Sequence, residues 1–78
     1  MKFTQYFLST RQRDDRRHIE LAWIEEVMKQ PAHRHVQHDG RVRLWGRVPD
    51  AEGRHLRVVL LDDGETVHNA FFDRNFRP

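Results

Sequence analysis

Asp39–Phe72 reads DGRVRLWGRVPDAEGRHLRVVLLDDGETVHNAFF. In Arg41–Val48, the aliphatic Val42, Leu44 and Val48 alternate with Arg41, Arg43, Trp45 and Arg47. In His55–Leu61, Leu56, Val58 and Leu60 alternate with His55, Arg57, Val59 and Leu61. A strand sends successive side chains to opposite faces, so both runs predict strands with one apolar and one basic face. Pro49–Gly53 between them carries strong turn chemistry, and Asp63-Gly64 is a hairpin signal leading into a third strand, Glu65–Phe72. That third strand has two readings. Val67, Asn69 and Phe71 share one face, or Thr66, His68, Ala70 and Phe72 do. A bulge, or burial of both faces at that end, accommodates the aromatics on each.

On the N-terminal side, His35–Gln37 is a candidate edge strand before the turn Asp39-Gly40. Before it, Leu21, Ile24 and Met28, with Trp23 and Val27, recur at three- and four-residue spacing. This predicts an amphipathic helix over Arg17–Lys29, stopped by Pro31 and capped by Asp14 or Asp15. A first helix is predicted over Gln5–Gln12, capped by Thr4, with the charged connector Arg11–Arg17 between the two. The order implies an α+β fold, two N-terminal helices packed on a three- to four-stranded antiparallel sheet, in a single domain over residues 1–78.

A chain of 78 residues buries only about 60% of its unfolded surface, which leaves no room for a second domain or a deep cofactor cavity. The absence of cysteine excludes disulfides and thiolate metal sites, and fits a reducing compartment. There is no apolar run long enough for a membrane span and no signal-peptide pattern at Met1–Thr10, so the expectation is a cytoplasmic protein without a membrane partner. Net charge is only +2, with 14 bases against 12 acids. Distribution matters more than the sum, because the arginines of Arg41–Arg57 gather on one strand face. Arginine's planar fork suits phosphate and stacks on bases.

Several residues are candidates for chemistry. Arg57, mid-strand between core positions, must face solvent or a partner; it is placed to hold a phosphate, or to pair with Glu65 or Asp73. Arg41, Arg43 and Arg47 at period two track a phosphate backbone, or form a solvated face that discourages aggregation. Trp45 among them stacks a base, or packs on an arginine stem or loop. His55 and His68, on strands joined by the Asp63-Gly64 turn, are candidates for proton transfer, or are plain surface histidines. Arg74 supplies a further phosphate contact, or pairs with Asp73. His33, His35 and His38 lack a completing ligand, so no metal and no cofactor is expected.

The pair Phe3-Thr4, the helix end WIEEVMKQP (Trp23–Pro31), DGRVRLWGRV (Asp39–Val48), GRHLRVVLLDDGETV (Gly53–Val67) and AFFDRNF (Ala70–Phe76) together cover nearly the whole chain. In these segments it resembles a small bacterial family of domains of unknown function allied to the RelE, ParE and BrnT-type toxins. The resemblance implies a helix pair against an antiparallel sheet. It further implies RNA bound on the open sheet face and cleaved by attack of a ribose 2′-hydroxyl on the adjacent phosphate, and an antitoxin-like protein partner. A monomer and a homodimer are both compatible with it. The related pattern often has a histidine-alanine pair early in the first helix, where this chain has Tyr6-Phe7. The expected function is therefore a toxin-type endoribonuclease, with a non-catalytic protein-interaction module as the alternative.

Overall fold

A computed structural model of the chain describes residues 1–77. The elements are β1 (Lys2–Phe3), α1 (Gln5–Thr10), α2 (Leu21–Lys29), β2 (His33–Val36), β3 (Val42–Val48), a 3-10 turn at Pro49–Ala51, β4 (Arg54–Leu60) and β5 (Thr66–Phe72). They form one five-stranded sheet in the order β1-β5-β4-β3-β2. Strands β2 to β5 make the antiparallel meander that the alternation predicts. The sheet as a whole is mixed, because β1 pairs in parallel with β5 through Lys2↔Thr66 and Phe3↔Val67. This corrects the expectation of a purely antiparallel sheet of three or four strands. A two-residue strand is too short to show any period.

The helices are also shorter than expected. Thr4 caps α1 as predicted, its Oγ1 accepting from the Phe7 N–H at 3.0 Å. The helix ends at Thr10 rather than Gln12. There the Gln12 and Arg13 N–H groups bond to carbonyls three residues back, at Ser9 and Thr10, which tightens the chain into turns. Helix α2 starts at Leu21, not Arg17, and Glu20 stands at its N-cap. Asp14 and Asp15 do not cap it; they pair with Arg17 and with Arg13 and Arg16. The reason for the late start is Ile19. It is buried in the core, its carbonyl accepts from Arg11 Nη1 at 3.0 Å, and the chain must turn inward there before a helix can begin.

Both helices cover the same face of the sheet. Ile24 and Val27 of α2, with Trp23 and Met28 beside them, join Val42, Leu44 and Val48 of β3 and Leu56, Val58 and Leu60 of β4. Phe7 of α1 completes the cluster next to Val67 and Ala70 of β5, with the Phe3 ring stacked on it at 5.1 Å. The two readings of the last strand are resolved by a bulge. Leu60 faces Val67, whereas Val59 faces Asn69, so His68 is the extra residue. Side-chain parity switches there. Val67 before the bulge and Ala70 and Phe72 after it all lie on the helix side. The β4–β5 connection is held by Asp63, which accepts from the Glu65 and Thr66 N–H groups at 2.9 Å each and from the Thr66 hydroxyl at 2.6 Å. The Thr66 hydroxyl, followed by these backbone donors, brings the Asp63 carboxyl down to about 2.

Gly46 sets how closely α2 approaches the sheet. A Cβ at this position would lie 2.8 Å from Val27 Cγ2. Gly46→Ala should therefore destabilise the fold by about 1–3 kcal/mol through overpacking. Urea melts of the variant and of Gly46→Ala/Val27→Ala check this. Trimming Val27 makes room for the new methyl, so the double variant should lose less than the two single losses combined.

Candidate nucleic-acid interface

The face of the sheet away from the helices carries the sequence-predicted residues in ordered rows. Cross-strand register aligns His33, Trp45, Arg57 and Phe71 in one row across β2, β3, β4 and β5. His35, Arg43, Val59 and Asn69 form the next. Arg47 faces His55 on the other side of the first row. Four of the predicted residues, Arg43, Trp45, Arg47 and Arg57, are thus brought together with His55 by two neighbouring strands. Arg41 lies just before β3; it is exposed, its N–H donates to Asp39 Oδ1, and its guanidinium lies 3.9 Å from the same carboxylate.

The centre of this face is not bare. After β5 the chain folds back over it. The Asp73 N–H continues the ladder to the His55 carbonyl at 2.9 Å. One Asp73 oxygen, Oδ1, accepts from the Asn75 N–H at 3.0 Å and turns the tail. The other, Oδ2, accepts from Trp45 Nε1 at 3.0 Å and lies 3.6 Å from Arg57 Nη1. The turn brings the Phe76 ring onto Trp45, with centroids 5.1 Å apart and planes at 15°. His55 and His33 flank the same ring at 5.0 and 6.0 Å. Trp45 is consequently only 7% exposed.

Arg57 takes one of its expected settings, the pair with a carboxylate. It pairs with Asp73, and its guanidinium also lies over the rings of Trp45 at 5.5 Å and Phe71 at 5.2 Å. Its Nε is buried without a hydrogen-bond partner. Burial is the main influence lowering its pKa; Arg43 adds to this and Asp73 opposes it. Arg43 and Arg57 sit diagonally across β3 and β4, where side chains are within reach of one another. Arg74 is exposed and lines a small cleft with His55 and Phe76.

The two candidate histidines are not brought together. His55 is the second residue of β4, and His68 lies at the bulge opposite Val59 and Leu60, roughly 13 Å further along at the usual rise per strand residue. His68 has structural neighbours. Its Nδ1 is 3.1 Å from Thr4 Oγ1, the oxygen that caps α1, and Tyr6 stacks on its ring at 4.8 Å. Burial, then the positive charge of Arg41, lowers its pKa below the ordinary 6.5. The neutral ring is the one that can accept the Thr4 hydroxyl proton at Nδ1.

Asp73 and Phe76 are site residues that no sequence pattern marks, although Asp73 is one of the two carboxylates the sequence offers Arg57 as a partner. Both lie beyond the last strand, where no periodicity marks them. The available signal is the Asp73-Arg74-Asn75 stretch, whose aspartate favours a turn back toward the sheet. Among the described residues no group of three or more histidines and carboxylates could hold a metal, and no helix is long and apolar enough to cross a membrane. Compared with protein-family models, curated proteins and solved structures, the chain finds no match.

Two outcomes follow from the titrating groups. His68 has its pKa lowered on folding, so the folded state binds fewer protons. Its contribution is complete above 6.5 and is lost as pH falls through 6.5 towards its folded value. Thermal melts between pH 7.5 and 5 should show that loss in the wild type and a flatter profile in His68→Gln. The Asp73 carboxyl is held below its ordinary 3.8, chiefly by the Trp45 N–H, with Asn75 and Arg57 adding to it. Its contribution is present above 3.8 and lost as pH falls through the folded value. Asp73→Asn should cost about 1–3 kcal/mol near neutral pH, by denaturant melt, and the gap to wild type should close in acid.

Proposed function

We propose that this chain is a RelE/BrnT-like toxin-type domain that binds single-stranded RNA on the open face of its sheet, and that Arg57 and His55 serve a cleavage step there. The observation that carries this reading is the pair of arginines at the centre of the face. Arg43 and Arg57 are diagonal neighbours whose like charges oppose one another, with Asp73 the carboxylate beside them. A phosphate in that place relieves the repulsion and gains charge-assisted hydrogen bonds. Arg47 and Arg41 extend the positive strip along β3 and its N-terminal end, and the aromatic row beside it supplies faces for bases.

In the cleavage step the 2′-hydroxyl attacks the adjacent phosphorus. Arg57 stabilises the added negative charge, and His55 takes the hydroxyl proton. The bond to the 5′-oxygen breaks, leaving a 2′,3′-cyclic phosphate, and the departing 5′-oxygen becomes a hydroxyl by taking the proton back from His55 through solvent water. His68 is given no part in this, because it stands at the other end of the strand pair and supports the α1 cap.

A second reading has its own observation. All four residues of β2 are exposed, and β2 forms an outer edge of the sheet. Such an edge can accept a strand from a protein partner, as expected of an antitoxin-bound or purely non-catalytic interaction module.

Induced expression of wild type beside Arg57→Ala, with total RNA on a gel, tests the proposal. Growth arrest and shortened messages with wild type alone are the expected result. Normal growth and intact RNA with both proteins would sink the nuclease reading and favour the interaction module. Binding of a labelled RNA should also weaken with salt, by about 0.7 in the logarithm of affinity per logarithm of salt for each phosphate contacted.

A further inference from the structure

The segment after β5 places on the open face two groups that resemble the two halves of a nucleotide. We infer that Phe76 and Asp73 are an internal occupant of a nucleotide subsite, with Phe76 in the place of a base and the Asp73 carboxylate in the place of a phosphate. This rests on the RNA-binding reading above and specifies where on the face one nucleotide is held.

The base half of the subsite is the recess formed by Trp45, His33 and His55. Phe76 lies nearly parallel to the indole at 5.1 Å, while His55 and His33 meet its ring at 52° and 45°. A planar ring stacked on an indole is the arrangement by which proteins hold an unstacked base, and any base offers the required face. The phosphate half is the position of Asp73 Oδ2. That oxygen takes the Trp45 N–H at 3.0 Å and lies 3.6 Å from the Arg57 guanidinium. An anionic oxygen between an N–H donor and an arginine is in the setting of a bound phosphate oxygen. Trp45 and Arg57 are directly paired across β3 and β4, so the two halves adjoin, as the base and phosphate of one nucleotide do.

The tether to Phe76 is local. Asp73 is anchored by the β-ladder bond to His55, and beyond the Asn75 turn the Phe76 N–H turns back to Asp73 itself, to its carbonyl at 3.5 Å and towards its carboxylate. Stacking supplies the rest. A displaced Phe76 would leave Trp45 open to a base, and the phosphate would take over the Trp45 N–H and Arg57 from the Asp73 carboxylate. Because the occupant is part of the same chain, RNA competes with a high effective concentration of it, and its removal should raise RNA affinity.

The test is anisotropy of a short fluorescein-labelled poly(U) RNA at fixed salt, with wild type, Phe76→Ala and Phe76→Trp. Phe76→Ala is expected to bind about tenfold more tightly than wild type, and Phe76→Trp to bind no better than wild type. If Phe76→Ala proves poorly folded by circular dichroism, Phe76→Leu, which keeps an apolar cover without a stacking ring, should show a smaller gain of the same sign. RNA binding by wild type with equal or weaker binding by Phe76→Ala or Phe76→Leu overturns the inference and leaves the RNA face standing. No binding by any folded variant overturns the RNA reading itself, and the subsite with it. Binding gained only on removing the Phe76 ring supports both.

Discussion

One carboxylate organises the open side of this protein. Asp73 takes the indole N–H of Trp45 and the charge of Arg57 on one oxygen and uses the other to turn its own backbone at Asn75. Both charged partners are largely shielded from solvent, with side chains 14% and 21% exposed for Asp73 and Arg57. Removing one of them would leave the other poorly compensated, which is the costly way to break such a pair. The arrangement therefore constrains three strands at once. It sets Trp45 on β3, Arg57 on β4 and the end of β5 in a single cluster, held by the indole hydrogen bond and the ion pair.

The need for that cluster follows from a one-sided architecture. Both helices pack on the same face of the sheet, and among the described residues no further helix or strand covers the other. Trp45 and Val59 nevertheless point to the open side and are buried there. Phe76, stacked on Trp45, and the Arg57 guanidinium, which lies over the Trp45 and Phe71 rings, cover the indole. The same residues that give the face its basic character are thus also its packing. A ligand that engages Arg57 or Trp45 must replace contacts the chain already makes with itself.

The bulge at His68 links the two ends of the chain. By adding one residue to β5 it turns Val67 and Ala70 to the core together and frees His68 to reach Thr4 and Tyr6. The N-terminal strand then pairs beside it, through Phe3 and Val67. The α1 cap, the parallel edge strand and the irregularity in β5 form one unit. A histidine that looks available for acid–base chemistry in the sequence is thereby committed to holding the first helix.

Period-two alternation in Arg41–Val48 and His55–Leu61, the turns that bound them and the apolar stripe of α2 determined an α+β meander and one basic face, because these features depend on neighbours close in the chain. The gathering of Arg43, Trp45, Arg47 and Arg57 on one face was legible for the same reason. What depended on distant partners was not. The parallel strand β1 has two residues and exists only because β5 offers an edge. The start of α2 is set by burial of Ile19 rather than by a capping aspartate. The register of β5 needed a bulge that only pairing with β4 could place. The separation of His55 from His68, and the seating of Asp73 and Phe76 on Trp45, were decided by tertiary contact, since a side chain's partner across a sheet or beyond a turn leaves no period in the sequence.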